Sequence, residues 1–370
     1  MTNGQQASGE QRGVLSGLTS RKRDEFLHSK LLFPWAAGAK SSALATTICF
    51  TLIFLSQAWP ALGGVSAALV SPALSQVTSS DGRRFGEIDK LIESGDLRGA
   101  REILTEEVAA RGESYQTLFR EAKILFREQK YRESMKVLER ALSLNQRDAE
   151  LYKLVASNAI LLSRMDIAEQ ALKNAVPLAP NDYLVFFHLG ALYYTDSRFP
   201  SAQPVLEKSV ELNPDYVPAR LFLGLTLEEL GQEQSAVDCY LRAIEIAERA
   251  GQKGEQPYLY LGRLLYRENK MAESFPYLQK AVKANPQSCE SLCLLARIHS
   301  SQGQESDAVA ALSQCIRGDP KYSEAHYLLS RAYVKQGRTG EAAKELSQFQ
   351  ELKKLEKNSR DPRKNQRANP

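Results

Sequence analysis

A period of 34 residues constrains this chain more than any other feature. Between Tyr183 and Tyr216, Phe186, Leu189, Gly190 and Tyr193 fall at i, i+3, i+4 and i+7, one face of an α-helix. Phe199, Ala202 and Leu206 mark a second amphipathic helix, with Pro200 where a first helical turn tolerates proline. Asn213-Pro214 ends it, because proline disfavours helical geometry in the residue before it. Gly190 and Ala202 are small enough to let the two helices approach closely. The unit is a helical hairpin with one apolar face left to cover.

The same hairpin recurs along the chain. Downstream come Leu223-Gly224, Leu227, Ala236, Tyr240 and Ala243; upstream come Val155-Ala156, Ala168, Leu172, Ala175 and Pro180. About eight copies start near Asp81, Tyr115, Ala149, Tyr183, Val217, Glu255, Cys289 and Ser323, with about four extra residues near Gly251 to Gly254. Hairpins that bury their apolar faces only on one another build a solenoid. The recurring residues (aromatic or Leu, Leu-Gly, Tyr, Ala, a large apolar, Ala, Pro) resemble the tetratricopeptide repeat. That resemblance implies an all-α fold, a right-handed superhelical α-solenoid of tandem helix-turn-helix repeats over 81–356. It also implies a concave groove lined by the first helix of each repeat.

The front of the chain lies outside this pattern. Residues 1–40 are basic and expected to be poorly ordered, and Ser41 to Ser80 carry no charge at all. Ala43 to Leu55 is the apolar centre of that stretch. Basic flank, apolar run and small residues near Val65-Ser66-Ala67 or Ala73-Leu74-Ser75 fit an export signal. Ala43 to Leu62 could instead cross a bilayer uncleaved, and the preceding basic residues would keep that end cytoplasmic. Both readings place the repeats outside the cytoplasm and limit membrane contact to this segment. Residues 357–370, with Lys357, Arg360, Arg363, Lys364 and Arg367 against Asp361, read as a disordered basic tail. Since the tail holds most of the net charge of +4, the repeats are close to neutral and nucleic-acid binding is not expected.

No catalytic, cofactor or metal constellation is visible. The four histidines fall in separate segments, and no phosphate loop, H-E-x-x-H pair or nucleophile elbow occurs. Cys289 and Cys293 lie one helical turn apart with no His or Cys nearby to complete a zinc set. Cys239, Cys289, Cys293 and Cys315 read as buried thiols, or else Cys293 and Cys315 are bridged across their hairpin.

By the resemblance, the second, fifth, ninth, twelfth and thirteenth positions of each repeat face the groove. Those positions place Phe119, Phe126, Arg127, Phe187, Tyr194 and Leu225 in its first part. Arg263, Tyr266, Arg267, Arg297, Tyr327, Arg331 and Lys335 follow in its C-terminal part. Aromatic residues with interleaved, solvent-exposed arginines would suit an interface that selects acidic side chains or a terminal carboxylate. The expected function is a non-catalytic extracytoplasmic scaffold binding a protein or extended peptide, in cell-envelope assembly or secretion. A membrane-tethered adaptor is the alternative, and a helical-repeat nucleic-acid binder a third. A stripe of Leu346, Phe349, Leu352 and Leu355 predicts that the last helix runs to about Glu356 as a cap.

Overall fold

A computed structural model describes residues 72–359, with side chains from 82 to 358. The basic N-region, the apolar run Ala43 to Leu55 and the tail beyond Ser359 lie outside the described residues. Sixteen helices and no strand are found among the described residues, and none of these helices is long and apolar enough to cross a membrane. Packing divides the chain between Leu189 and Gly190, inside helix α7 (Tyr183–Thr195).

The first unit stacks three hairpins: α1 (Pro72–Ser94) with α2 (Leu97–Arg111), α3 (Tyr115–Arg127) with α4 (Tyr131–Leu144), and α5 (Ala149–Leu161) with α6 (Met165–Ala175). α1 begins ahead of Asp81, where the sequence repeat starts, so the Ala73–Ser75 cleavage candidate falls inside a helix. The second unit continues from α7 through α8 (Phe199–Leu212) to the pairs α9 (Val217–Glu229) and α10 (Glu233–Arg249), and α11 (Gln256–Arg267) and α12 (Met271–Ala284). It ends with α13 (Cys289–Ser301) and α14 (Glu305–Gly318), then α15 (Ser323–Lys335) and α16 (Thr339–Ser359). Within each unit every second helix also packs on the first helix that follows, so each hairpin is covered by its neighbours.

The period is written into the turns. Gly95, Gln129, Ser163, Ser197, Gly231, Asn269, Gly303 and Gly337 all stand at hairpin turns with φ between 58° and 89°. They are spaced by 34 residues except from Gly231 to Asn269, which is 38. This left-handed residue turns the backbone so that the next N–H donates back into the finished helix, as Lys130 N does to Leu125 O at 2.9 Å and Arg164 N to Ala159 O at 2.7 Å. The four extra residues are absorbed by lengthening α10 to 17 residues and by the loop after it; the second helices α4, α8, α12 and α14 have 14.

Close approach within hairpins explains the small residues. A Cβ on Gly190 would lie 2.5 Å from Leu206 Cγ, and one on Gly224 would lie 2.5 Å from Tyr240 Cε1. Ser134 and Ser274 take the small slot where other repeats have Ala. Each satisfies its hydroxyl on the facing backbone, Ser134 Oγ donating to Ala122 O at 2.9 Å and Ser274 Oγ to Gly262 O at 2.7 Å.

The cysteine expectation needs correction. Cys315 is bridged to Cys289, with Cα atoms 4.8 Å apart, and Cys293 stays a buried thiol outside the bridge. In an antiparallel hairpin the last turn of the second helix returns beside the first turn of the first. Cys289 is in that first turn; Cys293 is a turn further along.

Candidate interaction surface on the first helices

In the first unit the candidate residues lie among fixed charges. Asp89 of α1 receives Arg120 at 2.6 Å and Lys123 at 2.8 Å from α3, and Arg120 also stacks over Phe85 at 4.3 Å. Phe119 is half-buried beneath the Lys123 ammonium, 5.5 Å from its ring centre. Phe126 is buried edge-on to Tyr131, and half-buried Arg127 has its pKa lowered by burial, opposed by Glu93. Phe187 is wholly buried against His188, so it supports this face from beneath instead of lining it.

The second unit carries a ladder of opposite charges. Glu228, in the last turn of α9, has a side chain only 4% exposed, and it gathers three donors. The Tyr240 hydroxyl donates a short hydrogen bond to it, Arg267 approaches to 3.2 Å and Arg263 to 3.5 Å. Arg263 reaches Glu290 on the other side at 3.6 Å and lies 5.0 Å over the Tyr260 ring. One repeat on, Arg297 binds Glu324 at 2.8 Å. Lys335 bonds Glu305 at 2.8 Å and Ser300 O at 3.0 Å, both at the preceding hairpin's turn. Arg331 lies 5.9 Å from the Tyr327 ring, and among the described residues it makes no ion pair.

Electrostatics follow from this geometry. Burial first, and Glu228 second, push the Tyr240 phenol well above its ordinary range, so it remains a donor. Burial acts to lower the pKa of Arg263, but Glu228 and Glu290 outweigh it and raise it. At Arg297 burial is likewise outweighed, by the bond to Glu324.

The exposed ladder expected from sequence is therefore corrected: Arg263 and Arg297 are half-buried and committed to carboxylates, and only Arg267, Arg331 and Lys335 are exposed. Leu225 is buried, and Tyr194 is half-buried between Phe199 and Phe222, each 5.6 Å away. Tyr266 is half-buried, and Tyr327 is exposed against Phe349 at 5.2 Å. Sequence reasoning missed Glu228. Its signal was an acid at the groove-facing twelfth position of the repeat, after the apolar run Leu221 to Leu225, with Arg263 and Arg267 to come in the next repeat. Glu290 and Glu324, the pairing the sequence offered as the alternative to exposed arginines, are the partners found: each follows its arginine by 27 residues.

Stacked helix hairpins stitched by charge define a helical-repeat scaffold. Family models described as tetratricopeptide repeat match residues 115–148, 187–255, 256–288 and 299–353, together more than half of the chain. The chain belongs to the tetratricopeptide repeat family. It is 25% identical over 141 residues to the anaphase-promoting complex subunit CDC16 of Saccharomyces cerevisiae, covering 36% of this chain and 16% of that one. It is 30% identical over 117 residues to the BBSome complex member BBS4 of Bos taurus, covering 32% and 22%. The chain thus spans less than a quarter of the length of the curated relatives it matches. Among solved structures, pilF of Pseudomonas aeruginosa superposes with a TM-score of 0.52 at 16% identity, covering 59% of this chain and 97% of that one, a likeness of fold.

Proposed function

We propose that this protein is an exported, non-catalytic scaffold that holds a partner protein or extended peptide against the first helices of its second unit, in envelope assembly or secretion. The observation that carries the reading is the alternation of Arg263, Glu290, Arg297 and Glu324 beside the reachable rings of Tyr266 and Tyr327. A partner carboxylate would exchange with Glu324 on Arg297 or take the exposed Arg331. Aromatic rings and arginines supply most of the energy at such surfaces, and paired charges give selectivity more than affinity. The names of the relatives describe components of assemblies, which supports a scaffold role. Export is supported by the uncharged stretch after a basic flank and by the Cys289–Cys315 bridge, since structural disulfides persist in oxidising compartments.

Export is tested by fusing alkaline phosphatase after Pro370 and by quenching cells with acid, unfolding the protein and labelling its thiols with maleimide before and after reduction. Active phosphatase and a Cys289–Cys315 pair that labels only after reduction are expected; an inactive fusion with both cysteines labelled at once would overturn export. Binding is tested with a photo-crosslinking residue at Tyr266, at Tyr327 or, as control, at exposed Leu241 of α10. Adducts should form at the first two and weaken with Arg297→Glu. Adducts only at Leu241, or unchanged by that substitution, would place binding elsewhere.

A further inference from the structure

Among the described residues, the last hairpin has a face that every earlier hairpin buries. At the large apolar position of the second helix, Leu138, Leu172, Leu206, Tyr240, Leu278 and Leu312 are all 0–1% exposed, whereas its counterpart Leu346 is 40% exposed. Further along α16, Leu355 is 64% exposed, while Phe349 and Leu352 are half-buried. The stripe read from sequence as a polar-backed cap is thus formed but left uncovered. α16 does run to Ser359 and is tied down at Glu356, which accepts from Ser323 Oγ at 3.0 Å.

The preceding junction shows what such a face receives. There, Ala325, Leu328 and Leu329 of α15 join Leu312 and Cys315 of α14 in one buried cluster. Glu324, one residue earlier on the same helix, meets Arg297. Glu290 of α13 meets Arg263 in the same way one repeat before. Arg331 is the next rung, and it has its arginine but no acid among the described residues. Residues 357–370 bring no large apolar side chain and five basic ones against Asp361 alone, so they do not suit the stripe. The N-terminal stretch Ser41 to Ser80 is apolar but has no carboxylate to offer.

We propose that this open face, Leu346, Phe349, Leu352 and Leu355 beside Arg331, docks an amphipathic helix of a partner protein that carries a carboxylate in its first turn. The pattern to be matched is that of α15 itself: an acid followed at +1, +4 and +5 by apolar residues. Phe349 stands where α10, α12 and α14 have Ala243, Ala281 and Cys315, so the residue laid against it must be small. This surface lies on the last described hairpin and meets the aromatic and arginine face proposed above at Arg331 and at Tyr327, whose ring is 5.2 Å from Phe349; Leu346 and Leu355 lie outside that face, so Leu355→Asp tests the stripe apart from that reading.

The test uses the full chain and a stapled, fluorescent peptide of residues 322–336, which carries Glu324 and Ala325 at the required places. Saturable anisotropy is expected. Arg331→Glu and Leu355→Asp should each weaken it by about tenfold or more, the equivalent of one lost charge-assisted or apolar contact. A peptide with Glu324→Arg should recover affinity on the Arg331→Glu chain. Both variants lie at exposed positions, and circular dichroism melts verify that each remains folded. Absence of saturable binding would overturn the proposal, as would binding indifferent to either substitution. A chain that sediments as a dimer and becomes monomeric with Leu355→Asp would assign the face to a second copy and overturn it equally.

Discussion

Replacing Glu228 with Ala should destabilise the second unit by about 3 kcal/mol. The carboxylate is buried, accepts from the Tyr240 hydroxyl and pairs in charge with Arg267 at 3.2 Å and Arg263 at 3.5 Å. Its loss strands the Tyr240 hydroxyl, which is fully buried and cannot turn to water because Gly224 abuts its ring. An unsatisfied buried donor costs about 1–3 kcal/mol. Arg263 loses its nearer partner but keeps Glu290 at 3.6 Å, which holds its part below the roughly 3–5 kcal/mol of a fully broken buried pair. Arg267 is 43% exposed and rehydrates, so Arg267→Ala should cost no more than about 1 kcal/mol. Glu228→Gln keeps one acceptor for Tyr240 and should fall between the two. Repeat arrays need not unfold in one step. The assay is therefore hydrogen exchange of α9 to α12 amides alongside urea melts, with Tyr240→Phe and Arg263→Met combined as the background for a cycle. In that background Glu228→Ala should cost far less. If Glu228→Ala changes protection by under about 0.5 kcal/mol in the natural background, the network is a solvated surface pair and the reasoning fails.

Acid should loosen the first unit through His188. Burial chiefly, with Lys153 adding and Asp182 opposing, lowers its pKa to about 4 from 6.5. The unfolded chain therefore binds the extra proton between those values, and stability falls as pH drops from 6.5 towards 4, by about 3 kcal/mol at most; thermal melts against pH should flatten in His188→Leu. Reducing the Cys289–Cys315 bridge, or Cys289→Ser, should cost about 3 kcal/mol, while Cys293→Ser should leave the response of the melting temperature to dithiothreitol unchanged. Gln129 holds a left-handed turn conformation at φ 63°, so Gln129→Gly should stabilise by about 1 kcal/mol and Gly231→Ala, at φ 71°, should destabilise by a similar amount in urea titrations.

What the sequence determined by itself is whatever one hairpin can record. The 34-residue period, the shift to 38 around Gly251 to Gly254, the small Gly190 and Gly224, and the large apolar residues facing them all reappear as turns and buried contacts. Each reflects burial or backbone geometry repeated in every unit, so a single chain contains many readings of the same rule. Tertiary structure decided the rest. Whether Cys289 or Cys293 meets Cys315 depends on where two helices of a hairpin come closest, which spacing along one helix leaves open. Whether Arg263 faces solvent or Glu228 depends on how first helices of successive repeats lie side by side, 35 residues apart in the chain. Periodicity assigns Phe187 and Tyr327 to the same face, yet one is wholly buried and the other exposed. The difference is packing density around each, a property of the neighbours on every side and of no local pattern. The uncovered Leu346 is the clearest instance: its sequence environment is that of six buried counterparts, and only the lack of a helix packed over it among the described residues sets it apart.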